Sequence, residues 1–540
     1  MVEATDTSAS EGKSGSAGTS FASGYRRDLG LFYIVLITVG AIFGSAVPFV
    51  PVTVLSLAGP AGLVSWVIGL VFILPIALVY AELGTMWPRA GGVAYYPARS
   101  HGSLAGVINA WSGFIGYTLV MPGVAAATFE YASYFYPALY ANNLLTPLGI
   151  LVSIISIGVV FYINTRAVKR LGQVNSAFTV IKVALVIIML AALLYFFKTA
   201  SFSNPSYGGF APLGTTGIFL AASATIFAYA GFRQPVDFAE EVKNPGRTIP
   251  LAIFISLLFV FILYMAETVA FLGVLNWSAL NLTPGNWSAL SGLAYPYTSA
   301  SNALGLASIG IIAIVIAVIA SYSDALMYHG SAARVSNTMA RYNNYLPRTF
   351  SKLNDVGIPF NSVLLVFVIA VIYLILLPSF NKVLGVLVDA IVISYAPGAV
   401  SLSVFRKKFP NEKRPFRLPA APVLGPIAFT TAGLLVFWSG FAALEVAVPS
   451  ALIGLVLLLV YHRTTKVGKN EVIGGIWFPI YVALILPLSY IGSNYFGGTN
   501  FLKFPWDNVL FVIVTVIFYY IGYYSGIAYK GKGVTDHHEV

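Results

Sequence analysis

Charged side chains are scarce in this sequence. Only 9% of the 540 residues are Asp, Glu, Lys or Arg, whereas 58% are hydrophobic. Soluble domains carry about a quarter charged residues, so this composition excludes a protein whose whole surface faces water. The hydrophobic residues form successive runs of the ~20 residues that a helix needs to cross ~30 Å of hydrocarbon. The composition therefore predicts an all-α membrane protein in contact with a lipid bilayer.

Cysteine is absent and histidine is rare, which limits the possible chemistry. Without cysteine there is no disulfide, thiolate metal site or cysteine nucleophile. We expect all five histidines in loops or in the tail, without metal-binding spacing at membrane depth: His101, His329, His462, His537 and His538. The sequence has no Gly-x-Ser-x-Gly elbow and no phosphate-binding loop. We therefore expect no enzyme, no metal site and no cofactor.

The apolar runs and the basic residues together predict a topology. About fourteen spans are expected, at 29–54, 60–83, 103–135, 144–163, 173–197, 215–239, 248–273, 299–327, 359–378, 382–404, 421–444, 446–462, 473–492 and 507–529. If the N-terminus is cytoplasmic, only Lys198, Lys382 and Lys503 of the 30 Lys and Arg lie outside. Two more, Lys182 and Arg233, fall within spans, and the other 25 lie inside.

This asymmetry is the positive-inside pattern of membrane proteins. It accounts for the net charge of +11 without a nucleic-acid partner. We therefore expect a multi-pass protein of the cell (plasma) membrane with both termini in the cytoplasm.

Two of the predicted spans contain glycine and proline near their middle. The first contains Gly40, Gly44 and Pro48, and the sixth contains Gly231 and Pro235. Unpaired backbone at this depth is tolerated only where it faces protein or a cavity. Breaks in helices 1 and 6 are expected if helices 1–5 and 6–10 are inverted repeats, and such breaks indicate a transport site. Glycine and proline are also simply more frequent in membrane helices, but the matching positions favour a site.

Five stretches, in order, are similar to motifs of one family. They are Gly40-x-x-x-Gly44-Ser45, WPRAGGVAYY at 87–96, GF at 231–232 with AEEVKNPGRTIP at 239–250, ARV, MAR and LP within 333–347, and RPFRLP at 414–419. From about Leu29 to Pro419 the chain resembles the amino acid–polyamine–organocation (APC) permeases.

The resemblance implies a LeuT-like core of ten helices in two inverted repeats (5+5), with discontinuous helices 1 and 6. This core would cover residues 25–419, and about four additional helices would cover 420–530. Residues 1–24 are then a disordered cytoplasmic tail and 531–540 a second cytoplasmic tail. The implied activity is amino-acid transport by a permease that is a monomer or a homodimer.

The resemblance also implies substrate-binding residues. The backbone of Gly44, Ser45 and Ala46, next to Gly40, would hold the substrate carboxylate. The carbonyl groups of Phe227, Ala228 and Tyr229, next to Gly231, would hold the amine. Glycine is usual where this chain has Ala46, so the added methyl group changes how the headgroup can sit.

Lys182 is a charged residue within the fifth predicted span. It lies about nine residues into the span, or roughly 13 Å along a helix. Burial disfavours the ammonium form, so such a lysine can load and release a proton. In proton-coupled permeases of the family, a fifth-helix lysine stands where sodium-driven relatives bind sodium, which makes the proton the expected coupling ion. The alternative is a lysine that snorkels to the interface.

Arg233 stands where the family usually has an acidic residue. Asp237 follows at a spacing that allows an i,i+4 pair, and the structural interpretation is an Arg233–Asp237 pair, with Glu267 as a further member. The functional interpretation is a cation that faces the pathway. Either interpretation disfavours a cationic substrate, so we expect a neutral or acidic substrate. Charges within the membrane are costly and usually functional, which makes Glu130, Asp324 and Asp389 further candidates for a proton path.

Alternative functions are less consistent with the sequence. A channel usually needs rings of charge or carbonyls from several subunits, whereas this chain has paired internal breaks. A sensor would normally carry a folded soluble domain. Within the transporter class, proton symport and amino-acid exchange both remain open.

Overall fold

The computed structural model describes residues 24–460 and 468–531, except for the side chains of residues 227, 380–382 and 384–386. Residues 1–23 and 532–540, which make up almost all of the two predicted tails, lie outside this description. So do His462, His537 and His538.

The described residues fold almost entirely into helices. The α-helices are Leu31–Ile42 (α1), Val50–Ala58 (α2), Gly62–Met86 (α3), Gly92–His101 (α4), Ser103–Ala132 (α5), Pro147–Asn164 (α6), Val168–Tyr195 (α7), Ala200–Ser203 (α8), Gly214–Ala228 (α9), Gln234–Asp237 (α10), Pro245–Val274 (α11), Pro296–Ala303 (α12), Ala307–Arg341 (α13), Phe360–Leu376 (α14), Phe380–Ile393 (α15), Ala396–Lys408 (α16), Ala421–Trp438 (α17), Phe441–Leu452 (α18), Gly454–Val460 (α19), Lys469–Gly475 (α20), Trp477–Ile491 (α21) and Trp506–Ala528 (α22). One two-stranded antiparallel hairpin pairs Tyr140–Ala141 (β1) with Leu144–Leu145 (β2).

The helices are long and apolar enough for a membrane protein. Within the described residues, ten continuous helical segments could cross a bilayer, or eleven if α20 and α21 are one span bent by 43°. Shorter apolar helices include α1 and α14. Large apolar side chains such as Leu151, Ile155 and Val159 on α6 are more than half exposed. Since water would disfavour such surfaces, these faces suit lipid.

The middle of the bundle is built on α5 and α13. Helix α13 packs against α5, α7 and α1, and α5 also packs against α15. Near α1 the packing is aromatic: Trp66 of α3 stacks on Tyr264 of α11 with ring centroids 4.8 Å apart. These elements surround the breaks between α1 and α2 and between α9 and α10.

The expectation that the histidines lie in loops is wrong for both described histidines. Helix α13 continues to Arg341, beyond the end of the predicted span 299–327, and His329 lies buried within it. The helix continues because its polar residues find partners inside the protein, as when Asn337 donates to the Phe350 carbonyl at 2.8 Å. His101 is likewise the buried last residue of α4.

Candidate functional site

The two breaks lie directly against each other. Helix α1 ends at Ile42 and α2 begins at Val50, while α9 ends at Ala228 and α10 begins at Gln234. Gly231 has a φ of +106°, and a Cβ atom there would lie 2.6 Å from the Ala41 carbonyl oxygen. Only glycine permits this backbone conformation together with so close an approach. The backbones of the two breaks are therefore in contact.

Lys182 binds the carbonyl end of the first break. It projects from α7, is fully buried, and donates from Nζ to the carbonyls of Gly40 at 3.1 Å and Phe43 at 2.5 Å. The last carbonyls of a helix have no partner within the helix and carry partial negative charge. The ammonium group supplies both a donor and a compensating charge at this end of α1.

Asp324 binds the amide side of the same break. Its Oδ2 atom accepts from the Ser45 backbone N–H at 3.3 Å and from the Ser45 hydroxyl at 3.0 Å. A Cβ atom on Gly44 would lie 2.5 Å from the Asp324 carboxyl carbon. The carboxyl group of α13 therefore rests on bare backbone at Gly44 and Ser45.

A small central cavity lies beside this contact. It has a volume of about 30 Å³ and is lined by Ala41, Ile42, Gly44, Ser45, Ala46, Val120, Val124, Ala230, Asp324, Tyr328, Leu387, Val388 and Ile391. This volume admits one or two water-sized groups but no amino acid. The central cavity is therefore too small for an amino acid in this conformation.

A larger vestibule adjoins the central cavity. It has a volume of about 590 Å³ and reaches the loop at residues 291–294 and Glu130 near the end of α5. Ser45, Ala46 and Val388 line both spaces. These three residues therefore form the partition between the vestibule and the central cavity.

The expected substrate-binding residues occupy different places. Gly44, Ser45 and Ala46 line the central cavity, whereas Gly40 packs against Asn175 and Ser323. The residues expected to hold the amine do not line it within the described part of the chain. Gly231 touches α1, Ala228 ends α9, and the Tyr229 hydroxyl donates to the Trp66 carbonyl at 3.2 Å. The Phe227 side chain is outside the description.

Sequence reasoning missed most of the cavity wall. Val120 and Val124 of α5, Tyr328 of α13 and Leu387 and Ile391 of α15 all line it. An apolar residue in an apolar helix carries no signal that separates a cavity wall from packing.

Arg233 lies beneath the cavity in a cage of tyrosine rings. Its guanidinium donates to the Tyr117 hydroxyl at 2.7 and 3.0 Å, to the Ser394 carbonyl at 3.2 Å and to the Ser394 hydroxyl at 3.1 Å. Asp237 lies 3.8 Å from Nε and accepts from Tyr117 at 2.6 Å. The Tyr117 ring packs against Tyr328 of the cavity wall, with centroids 5.1 Å apart. Arg233 thus joins the sixth-span break to the turn between α15 and α16.

The other acidic candidates lie apart from Arg233. Both carboxylate oxygens of buried Glu267 have no hydrogen-bond partner among the described residues, and its side chain borders a separate small space with Tyr297. Glu130 lines the vestibule. Asp389 is buried and accepts from the Ser439 hydroxyl at 2.8 Å.

Ion pairs close the end of the bundle that carries α4 and the segments 239–244, 342–359 and 409–420, which we call the basic end. Arg334 donates to both oxygens of Glu241 at 2.5 and 2.6 Å. Arg341 lies 3.4 Å from Glu240. Buried Glu82 pairs with Arg406 and, at 3.3 Å, with Arg414. Glu240, Glu241, Arg334, Arg341 and Arg414, which all belong to the motifs, therefore take part in ion pairs at this end.

Taken together, the apolar helices and the cavity between two broken helices define a multi-pass helical membrane transporter. The family profile described as amino acid permease matches residues 29–462. The chain therefore belongs to the amino acid permease family, as the sequence resemblance predicted.

Characterised relatives cover nearly the whole chain. The glutamate/serine transporter AimA of Bacillus subtilis (strain 168) is 30% identical over 530 residues, which is 95% of this chain and 96% of that protein. The aspartate-proton symporter of the same organism is 31% identical over 514 residues, covering 93% and 97%. Its branched-chain amino acid permease BcaP is 25% identical over 467 residues, covering 83% and 95%. These relatives are transporters, in keeping with the expectation that the chain is not an enzyme.

Proposed function

We propose that this permease is a secondary active transporter that moves amino acids by proton-coupled symport. The observation that carries the proposal is the pair of hydrogen bonds from Lys182 to Gly40 and Phe43. An ammonium in this position holds the end of α1 beside the cavity. When it loses its proton, it also loses the charge that compensates the helix end. The position of α1, and with it access to the cavity, then depends on a proton.

The lining favours a neutral amino acid with a small side chain. Apart from Asp324, Ser45 and Tyr328, the wall of the central cavity is aliphatic or backbone, and no Lys, Arg or His among the described residues lines it. A side-chain carboxylate there would lack a counter-charge, which is costly in a buried and mostly apolar site. The names of the relatives that are 30% and 31% identical to this chain include serine, glutamate and aspartate. We therefore rank neutral substrates first and acidic ones second.

The same proposal includes a topology of fourteen spans. It counts α1 with α2, α9 with α10, α15 with α16, α18 with α19, and α20 with α21 as single spans crossed by a break. Spans 1–5 and 6–10 would be the inverted repeats, residues 25–419 the core, and 420–530 the additional helices. With the basic end in the cytoplasm, both termini are cytoplasmic, the location is the cell membrane, and the vestibule opens outward.

Uptake into liposomes tests the proposal. Purified protein would be reconstituted and offered a panel of radiolabelled amino acids, with and without an outside-acid pH gradient. We expect gradient-dependent accumulation of a small neutral amino acid, lost in Lys182→Ala. The control Lys503→Ala, at a lysine near the start of α22, should accumulate normally. If Lys182→Ala kept full gradient-driven accumulation, the coupling role would be wrong.

An amino-acid exchanger of the same fold is the second candidate. It is favoured if uptake ignores the pH gradient and appears only when unlabelled substrate is loaded inside. Under that result Lys182 would have a structural role at the end of α1.

A further inference from the structure

The Asp324 carboxyl group lies at the place that the family resemblance implies for the substrate carboxylate. It accepts the Ser45 N–H and the Ser45 hydroxyl, and it lies against the bare backbone of Gly44. Backbone N–H groups exposed where a helix is broken form a natural anion site. A side-chain carboxylate and the carboxylate of an amino acid are chemically equivalent ligands for such a site.

We propose that Asp324 is a built-in stand-in for the substrate carboxylate, so that the substrate takes the Ser45 site only when Asp324 carries a proton. This inference rests on the proposed function and names the group that makes substrate binding depend on pH. In the ionised state Asp324 accepts both Ser45 donors. Protonation removes its charge and weakens its hold on them. The proton comes from hydronium in the water on the vestibule side: one O–H bond of hydronium breaks, one O–H bond forms on the Asp324 carboxyl group, and a water molecule is released.

Space and charge make the two carboxylates exclude each other. The central cavity of about 30 Å³ leaves no room for a second carboxylate beside Asp324. Two like charges that share one site also strongly disfavour joint ionisation. Either Asp324 is neutral when the substrate binds or the substrate does not bind.

The other titratable groups around Asp324 do not take this role. Lys182 faces it from α7 but is committed to carbonyls on the opposite side of the break. Tyr264 of α11 donates to the Ile42 carbonyl at 3.2 Å. Tyr328, one turn along α13, lines the cavity. Both tyrosines are neutral at physiological pH, so Asp324 is the group at this site whose negative charge a proton removes.

The test is the pH dependence of substrate affinity in wild type and Asp324→Asn. The probe is the radiolabelled amino acid that the uptake panel shows to accumulate most, and its binding is measured on detergent-purified protein between pH 5.5 and 8.5. In the wild type the Kd should rise as the pH increases, because only the fraction with protonated Asp324 binds the probe. Once Asp324 is mostly ionised, the rise should approach about tenfold per pH unit. Asp324→Asn, which keeps the shape without the charge, should change less than about twofold over the whole range.

Asp507→Asn is the matched control. Asp507 is also a buried carboxylate that accepts a serine backbone N–H, from Ser493 at 3.0 Å, but it lies in α22 and lines neither the central cavity nor the vestibule. This variant should keep the wild-type slope. If Asp324→Asn cannot be purified folded, the wild type alone decides: a steep rise of the Kd with pH supports the inference, and a Kd that changes less than about twofold over the range overturns it.

The possible failures can be told apart. A panel in which nothing accumulates overturns the proposed function and this inference with it. Accumulation together with a pH-independent Kd, or with the wild-type slope retained in Asp324→Asn, overturns this inference alone. Asp324 would then be a brace between α13 and the break.

Discussion

Replacing Gly231 by alanine should uncouple the two breaks. The residue has a φ of +106°, and an added Cβ would lie 2.6 Å from the Ala41 carbonyl oxygen and 2.8 Å from its carbon. Ordinary contact begins at 3.4 Å, so the two backbones would have to separate by 0.8 Å. The backbone conformation alone costs about 1–3 kcal/mol for a residue with a side chain. Displacements near 1 Å at a reacting site can cost about a hundredfold in rate.

Gly305 provides the matched control. It has a φ of +76° in the turn between α12 and α13, and an added Cβ would meet nothing within 4 Å. Gly305→Ala should therefore have the backbone strain of a positive φ without pushing two backbone segments apart. We expect a lower Tm in both variants, near-normal uptake for Gly305→Ala, and at least a tenfold loss for Gly231→Ala. Equal uptake by the two variants in liposomes would refute the argument that contact between the breaks matters.

Three further substitutions test buried polar groups of the bundle. Arg233→Lys should destabilise the protein by about 2–4 kcal/mol. A single ammonium group lacks the planar set of donors with which the guanidinium reaches Tyr117 and both Ser394 oxygens. An unchanged Tm in detergent would contradict this. Glu267→Met should raise the Tm, because a buried carboxyl without described partners costs about 1–3 kcal/mol; a lower Tm would mean that the carboxyl is well satisfied. Burial lowers the pKa of His101 to about 3, so its contribution to stability is present above pH ~6.5 and is lost as the pH falls towards 3. The Tm of the wild type should therefore fall more between pH 7 and 5 than that of His101→Gln, by the equivalent of about 2 kcal/mol, and parallel curves would contradict this.

The sequence located the breaks because their residues are unusual at membrane depth. Gly44 and Pro48 stand out in the first span and Gly231 and Pro235 in the sixth, and so do Lys182, Arg233 and Asp324. Each of these residues lies at a break or contacts one in the structure. A charge or a helix breaker in lipid needs a local reason, so its position is informative without an alignment.

The partners of these residues were not predictable in the same way. Three tyrosine rings surround Arg233, those of Tyr80, Tyr117 and Tyr395. They are three of the 32 tyrosines in the chain. Their role depends on how α3, α5 and α16 are placed in three dimensions, which hydrophobic runs do not encode. Glu267 was included with the Arg233 pair only because both are charged. The structure separates them because α11 turns Glu267 towards Tyr297.

At the first break, a cationic side chain binds the backbone carbonyl groups and an anionic side chain binds a backbone N–H group. Lys182 takes the carbonyls at the end of α1, and Asp324 takes an amide at the start of the turn that leads into α2. The break thus already binds one ammonium and one carboxylate, the two groups of an amino acid. A zwitterion that enters from the vestibule reaches Ser45 at the partition, because Ser45 lines both spaces. Its carboxylate must then displace Asp324, whereas Lys182 lies behind the break and keeps its carbonyls. On this argument Asp324 determines whether substrate binds, and Lys182 determines whether the bound state can move α1.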